Sequence, residues 1–148
     1  MIMKKQMDPC MHSTEHILNQ AMGRLFHCGR CFSAHIERKK SKCDYRFDRS
    51  LTADELAALE KEVNRVIQEN LPVAEAYLAL DDARKAYNLN RLPDDAGEHI
   101  RIVSIGDYDH CPCIGPHVAA TGEIGAFRIT SASHEDGVLR IRFKLKRP

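Results

Sequence analysis

Apolar residues along the chain switch between helical and strand spacing, and the switches outline most of its elements. Met11, Leu18, Met22, Leu25 and Phe26 recur at helical spacing behind Asp8-Pro9. There the Asp can cap free amide groups and the Pro suits the first helical position. Gly23 interrupts the pattern and Gly29 supplies the expected stop. Two short strands are predicted at residues 31–37 and 43–48, joined by the basic run Arg38-Lys39-Lys40-Ser41-Lys42. Thr52 then opens the clearest helix: Thr52 and Glu55 form a capping box, and Leu56, Leu59, Val63, Val66 and Ile67 make one apolar face ending before Pro72. A strand over 73–80, a short helix over 81–87 and a loop over 91–98 follow. Ile100, Ile102, Val103 and Ile105 mark a strand that enters a segment, 107–117, rich in Cys, His and Pro. The last two strands are 126–132 and 138–146, with 134–137 as their turn. Helices mixed with hairpin-connected strands predict an α+β fold, an antiparallel sheet with helices packed on one face.

Composition narrows the class. With 148 residues, 43% of them apolar and 29% charged, the chain suits a single domain over 1–148 with an ordinary core, residues 1–8 forming a flexible arm. No window approaches the roughly 20 apolar residues of a membrane helix, and no apolar stretch follows the N-terminal lysines, so neither a membrane partner nor a signal peptide is expected. Six cysteines without a secretory signal read as reduced thiols or metal ligands, which places the chain in the cytoplasm. The net charge of +1 removes any whole-molecule pull on nucleic acid; RNA binding must come from local clusters, and DNA is not expected as a partner.

The candidate chemistry lies in two distant segments. His12 and His16 fall one turn apart on the first helix, close enough for two imidazoles to reach one ion. Cys113-Ile114-Gly115-Pro116-His117 adds a thiol and an imidazole across a turn containing Gly and Pro. Together they form a mixed nitrogen and sulfur set that suits Zn²⁺. Cys111 competes with Cys113, but alternate residues of an extended segment point to opposite sides, so only one of them should face the metal.

His12-Ser13-Thr14-Glu15-His16, then Cys113-Ile114-Gly115-Pro116-His117-Val118, then Thr121-Gly122-Glu123-Ile124-Gly125, resembles the editing domain of alanyl-tRNA synthetases. The same text is similar to the second additional domain of threonyl-tRNA synthetases and to stand-alone alanyl-tRNA editing proteins. The resemblance implies zinc on His12, His16, Cys113 and His117, with those four forming the catalytic centre. It also implies hydrolysis of the ester that joins a wrong amino acid to the 3′ end of tRNA. Because a catalytic zinc usually keeps one position open, His117 is the ligand whose attachment during turnover is in question. The chain is too short for an aminoacylation module, so the expected protein acts in trans. Cys-x-Gly-Pro-His is similar to the threonyl version and TGEIG to the alanyl one, which makes mischarged Ser-tRNA of the alanine or threonine type the expected substrate. Ser33 and His35 fall where the family contributes to the amino-acid pocket.

Arg140, Arg142, Lys144 and Lys146 alternate with Leu139, Ile141, Phe143 and Leu145, which sets four cations about 7 Å apart on one face of a strand. This spacing suits RNA phosphates; the alternative is a charged edge that discourages strand pairing. A homo-oligomer is compatible with the sequence. Two other functions compete. His12-Ser13-Thr14-Glu15-His16 also satisfies the H-x-x-E-H pattern of a zinc metalloprotease, with Glu15 as general base. Cys28-x2-Cys31-x3-His35, with Cys43, suits a structural zinc in a non-catalytic tRNA-binding module.

Overall fold

The structure is a computed structural model, and it describes residues 7–89, 92 and 97–148. Most of the expected arm and most of the expected 91–98 loop lie outside the described residues. Asp8 does not belong to an arm: its carboxylate accepts the Met11 N–H at 3.0 Å and pairs with Arg38 and Arg147. It thereby caps α1 (Pro9–Phe26), which ends before Gly29 because His27 itself takes the left-handed conformation, φ 58°, and donates its N–H to Gly23 O. Histidine enters that region more readily than most residues.

The strands are antiparallel, as expected, and divide between two sheets. β1 (Ser33–His35), β2 (Ser41–Arg46), β6 (Ala126–Glu135) and β7 (Val138–Lys146) make one, in the order β1-β2-β7-β6. β3 (Val73–Ala79), β4 (His99–Ile105) and β5 (Asp109–Pro112) make the other, in that order. β1 is shorter than its sequence suggests. β5 was hidden by its Cys, His and Pro content, which reads as a loop. β6 and β7 meet at Asp136 and Gly137, both at positive φ (52° and 77°), so the hairpin turn is tighter than 134–137 and the strands are longer. A bulge between Ile129 and Ser131 absorbs the extra residue of β6. α2 (Ala53–Gln68) carries the expected capping box, and α3 (Leu80–Ala86) begins one residue earlier than its pattern indicates. Among the described residues no helix is long and apolar enough to cross a membrane.

α1 and α2 enclose the main core against the inner face of the four-stranded sheet. Leu59, Val63, Val66 and Ile67 of α2 meet Phe127, Leu139, Ile141 and Phe143, all of them buried. A smaller cluster, Ala83 with Ile100 and Ile102, seats α3 on the other sheet. β7 pairs on both sides, with β2 and with β6, so its cations do not protect an edge. Arg140 forms a two-bonded pair with Asp44 at 2.8 and 3.1 Å, and Lys42 takes the same carboxylate at 2.8 Å. Arg128 lies opposite Lys144, which extends the basic face onto β6.

Thr121 locks the turn that leads into β6. It is fully buried; its hydroxyl donates to Val66 O or Ile67 O at the end of α2 and accepts the Leu71 N–H at 2.9 Å. Val66 O is one of the end carbonyls of α2, and the Leu71 N–H lies just beyond the helix. Thr121→Val keeps the shape and strands these groups, so it should destabilise the fold by about 1–3 kcal/mol. Thr121→Ser should lose about 1 kcal/mol or less. Urea midpoints at unchanged slope would check both.

Candidate metal centre

Burial of the first turns of α1 decides the site. Every residue from Met11 to Asn19 is buried, including His12 and His16. After β5 the chain turns back over this helix. Gly115, at φ 110°, makes the close approach: a Cβ there would stand 3.1 Å from His12 Cε1. The turn is fixed from behind by Cys113 N–H donating to Arg101 O, and by Arg101 Nη1 donating to Gly115 O at 2.7 Å.

The outcome is a group of four donors, three buried and the fourth, His117, half-buried. His12, His16, Cys113 and His117 each offer one ligand atom, all within 4.8 Å of one another. Cys113 Sγ is 3.1 Å from His12 Nε2 and 3.5 Å from His117 Nε2. The rings of His12 and His117 stack at 4.0 Å between centroids, and His16 stands edge-on to both. Cys111 is half-buried on β5 and outside this set of four.

Each imidazole also has a polar group behind it. His12 Nδ1 donates to Pro116 O at 3.0 Å, which leaves the Nε2 lone pair free. His117 Nδ1 lies 2.9 Å from Ser13 Oγ, and that oxygen accepts the Val118 N–H. His16 Nδ1 faces Asp109 Oδ2 at 3.5 Å, an ion-pair distance beyond a full hydrogen bond, so it is a buried side-chain atom without a hydrogen bond. Asp109 is fully buried and is itself clamped by Arg30 at 2.7 and 3.2 Å and by Gln20 at 3.0 Å. Carboxylates and carbonyls behind the ring nitrogens are how metal-binding histidines are usually oriented. The donor set and its backing fit a divalent metal.

The family profile described as the threonyl and alanyl tRNA synthetase second additional domain matches residues 100–142, the stretch that holds Cys113 and His117. The alanine–tRNA ligase of Idiomarina loihiensis is 37% identical over 133 residues, 88% of this chain and 15% of the ligase. That of Paramagnetospirillum magneticum is 35% identical over 138 residues, again 88% of this chain and 15% of the ligase. These matches support an alanyl-tRNA-synthetase-type editing-domain family for this chain. It spans about a seventh of the length of these ligases.

The site is electrostatically tense. Burial, then the neighbouring His16, lower the His12 pKa to about 4; burial, then His16 and His12, lower that of His117 to about 2. Burial, with Cys111 and Glu15 nearby, pushes the Cys113 thiol up to about 12. Burial alone would raise Asp109, but His16 and Arg30 outweigh it and hold the carboxyl at about 2. Neutral imidazoles are what a metal requires, whereas the thiol gives up its proton only to a cation.

The remaining candidate residues lie elsewhere. Ser33 is half-buried on β1, and His35 is exposed there and paired with Glu37 at 3.2 Å. His35 therefore does not join Cys31; the buried partners of Cys31 are Cys43 and Glu15. Ser13 and Asp109 were not singled out from the sequence. Ser13 adjoins His12, but nothing in the letters distinguishes Asp109 from Asp107.

With both imidazole pKa values below the ordinary 6.5, the unfolded chain takes up protons first as pH falls. In chelator-treated protein their contribution to stability is complete above 6.5 and is lost on acidification, toward about 4 for His12 and about 2 for His117. The urea midpoint should therefore drop between about pH 7 and about pH 5, and His117→Gln should flatten that slope. The Asp109 share has the same sign and a lower window, present above 3.8 and lost toward about 2.

Proposed function

We propose that the chain is a zinc-dependent aminoacyl-tRNA deacylase that acts in trans in the cytoplasm. Its substrate would be a mischarged tRNA, Ser-tRNA of the alanine or threonine type. The observation that carries this reading is the convergence of His12, His16, Cys113 and His117 in a chain that matches this family profile. Zinc held there supplies Lewis acidity, able to polarise a carbonyl and acidify water near neutral pH.

The residues around the centre account for the rest. A cavity of about 190 Å³ reaches Cys113 and is lined by Tyr77, Ile100, Arg101 and Ile114 among others. Tyr77 and Ile114 are 60% and 51% exposed at its rim. They present apolar and aromatic surface on which the unpaired 3′ end of tRNA can stack. Arg101 is braced by Glu75 at 2.6 Å and by Gly115 O, so it shapes the wall. Hydrolysis consumes one water and returns a free amino acid and a tRNA with its terminal hydroxyl restored. A metalloprotease would need Glu15 open to substrate, and its carboxylate is instead buried, with Oε2 accepting the Cys31 thiol.

The test is release of amino acid from Ser-tRNA, Gly-tRNA and correctly charged Ala-tRNA and Thr-tRNA. Selective release of the wrong residue is expected. Cys113→Ala should abolish it together with the zinc of this centre, and Asp109→Asn, which keeps all four donors, should slow it about 10- to 100-fold. A chain that holds zinc and tRNA yet releases nothing is a binding module, and the proposal fails.

For the tRNA body we assign the basic face of β7, where Arg142 and Lys144 stand beside Arg128. Replacing Arg142 and Lys144 by Glu should weaken tRNA binding across sequences and reduce the salt dependence of log K by about 1 per lost phosphate contact. An unchanged slope would remove this face from the assignment.

A further inference from the structure

Glu15 sits on α1 between the two histidines, and its carboxylate faces two ways. Oε1 is 3.9 Å from His12 Nε2, the nitrogen directed at the four-donor centre. Oε2 accepts the Cys31 thiol at 3.4 Å. Beyond Cys31 lies Cys43, and the donor atoms of Glu15, Cys31 and Cys43 fall within 4.8 Å of one another. All three residues are buried, at 4%, 2% and 0% exposure.

The three donors come from separate elements: α1, the segment before β1, and β2. Asn19 holds them in place. Its Oδ1 accepts both the Cys31 N–H at 3.2 Å and the Tyr45 hydroxyl at 2.7 Å, so one residue of α1 fixes the backbone of Cys31 and a side chain two positions beyond Cys43. Two sulfurs and one carboxylate oxygen, pre-positioned and shielded from water, match the preference of a thiophilic divalent cation.

We propose that Glu15, Cys31 and Cys43 form a second metal site, for zinc or a similarly thiophilic divalent ion, beside the histidine centre. Binding replaces the Cys31-to-Glu15 hydrogen bond with metal–ligand bonds. Both thiols lose their protons to solvent, and no oxidant or reductant is needed. The ion ties α1 to β1, a strand of three residues at the sheet edge, and to β2. The site stands on its own three donors and does not rest on the metal centre proposed above.

The test is metal content of the reduced chain after dialysis against zinc. About two ions per chain are expected, falling to about one in Cys31→Ser/Cys43→Ser and to about one in Cys113→Ala. Glu15→Gln, which preserves shape and both thiols, should weaken the second ion about tenfold or more. Cobalt added to Cys113→Ala should still give the near-ultraviolet thiolate-to-metal absorption, now from Cys31 and Cys43. Zinc content unchanged by loss of both cysteines overturns the proposal. So does a Cys31–Cys43 disulfide in freshly alkylated protein, or a Cys113→Ala chain that binds no cobalt. Failure of the histidine centre looks different: Cys113→Ala would then leave metal content unchanged while Cys31→Ser/Cys43→Ser lowers it.

Discussion

Residues Met11 to Asn19 of α1 are buried on every side, and His12, Ser13, Thr14, Glu15, His16 and Asn19 among them are polar. A helix enclosed all round is ordinarily apolar all round, because an unmatched polar group in the core costs several times what a made hydrogen bond returns. This helix therefore dictates what its neighbours must provide. Thr14 satisfies itself by donating to Cys10 O at 2.7 Å. The others draw partners from distant parts of the chain: Pro116 and His117, Asp109, Cys31, and Tyr45. The fold can be described as the set of segments recruited to that helix.

Recruitment explains why the three-stranded sheet exists where it does. β5 delivers Asp109 at one end, and the turn after its other end delivers Cys113. Arg101 on β4 braces that turn through Gly115 O. The next segment is anchored separately: Thr121 and Asn70 pin it to the end of α2, with the Asn70 side chain accepting the Gly122 N–H at 3.0 Å. The glycine-containing TGEIG stretch is thus a structural clamp, and Cys113 and His117 of the four-donor group lie just upstream of it.

Charge is sorted by depth. Inside, the imidazoles are pressed toward neutrality by burial and by one another, and Arg30 balances Asp109. Outside, cations gather on the face of the four-stranded sheet opposite the helices. There Asp44 occupies Arg140 and Lys42 and leaves Arg142, Lys144 and Arg128 for other contacts. A net charge of only +1 hides this separation, because averaging over the chain removes the asymmetry between its faces.

The letters alone determined the features that depend on near neighbours. The α2 capping box, the Asp8 cap, the alternation along β7 and the one-turn spacing of His12 and His16 follow from local periodicity and short-range hydrogen bonding. The motifs likewise pointed to the family and to the four donors. Only the tertiary structure decided the rest. It split the strands into two sheets, placed β7 in a sheet interior, chose Asp109 to stand behind His16, and grouped Cys31 with Glu15 and Cys43 while leaving His35 at the surface. Each of those outcomes is a match between groups far apart in sequence, made because a buried polar helix must find partners, and spacing along the chain carries no record of which distant segment supplies them.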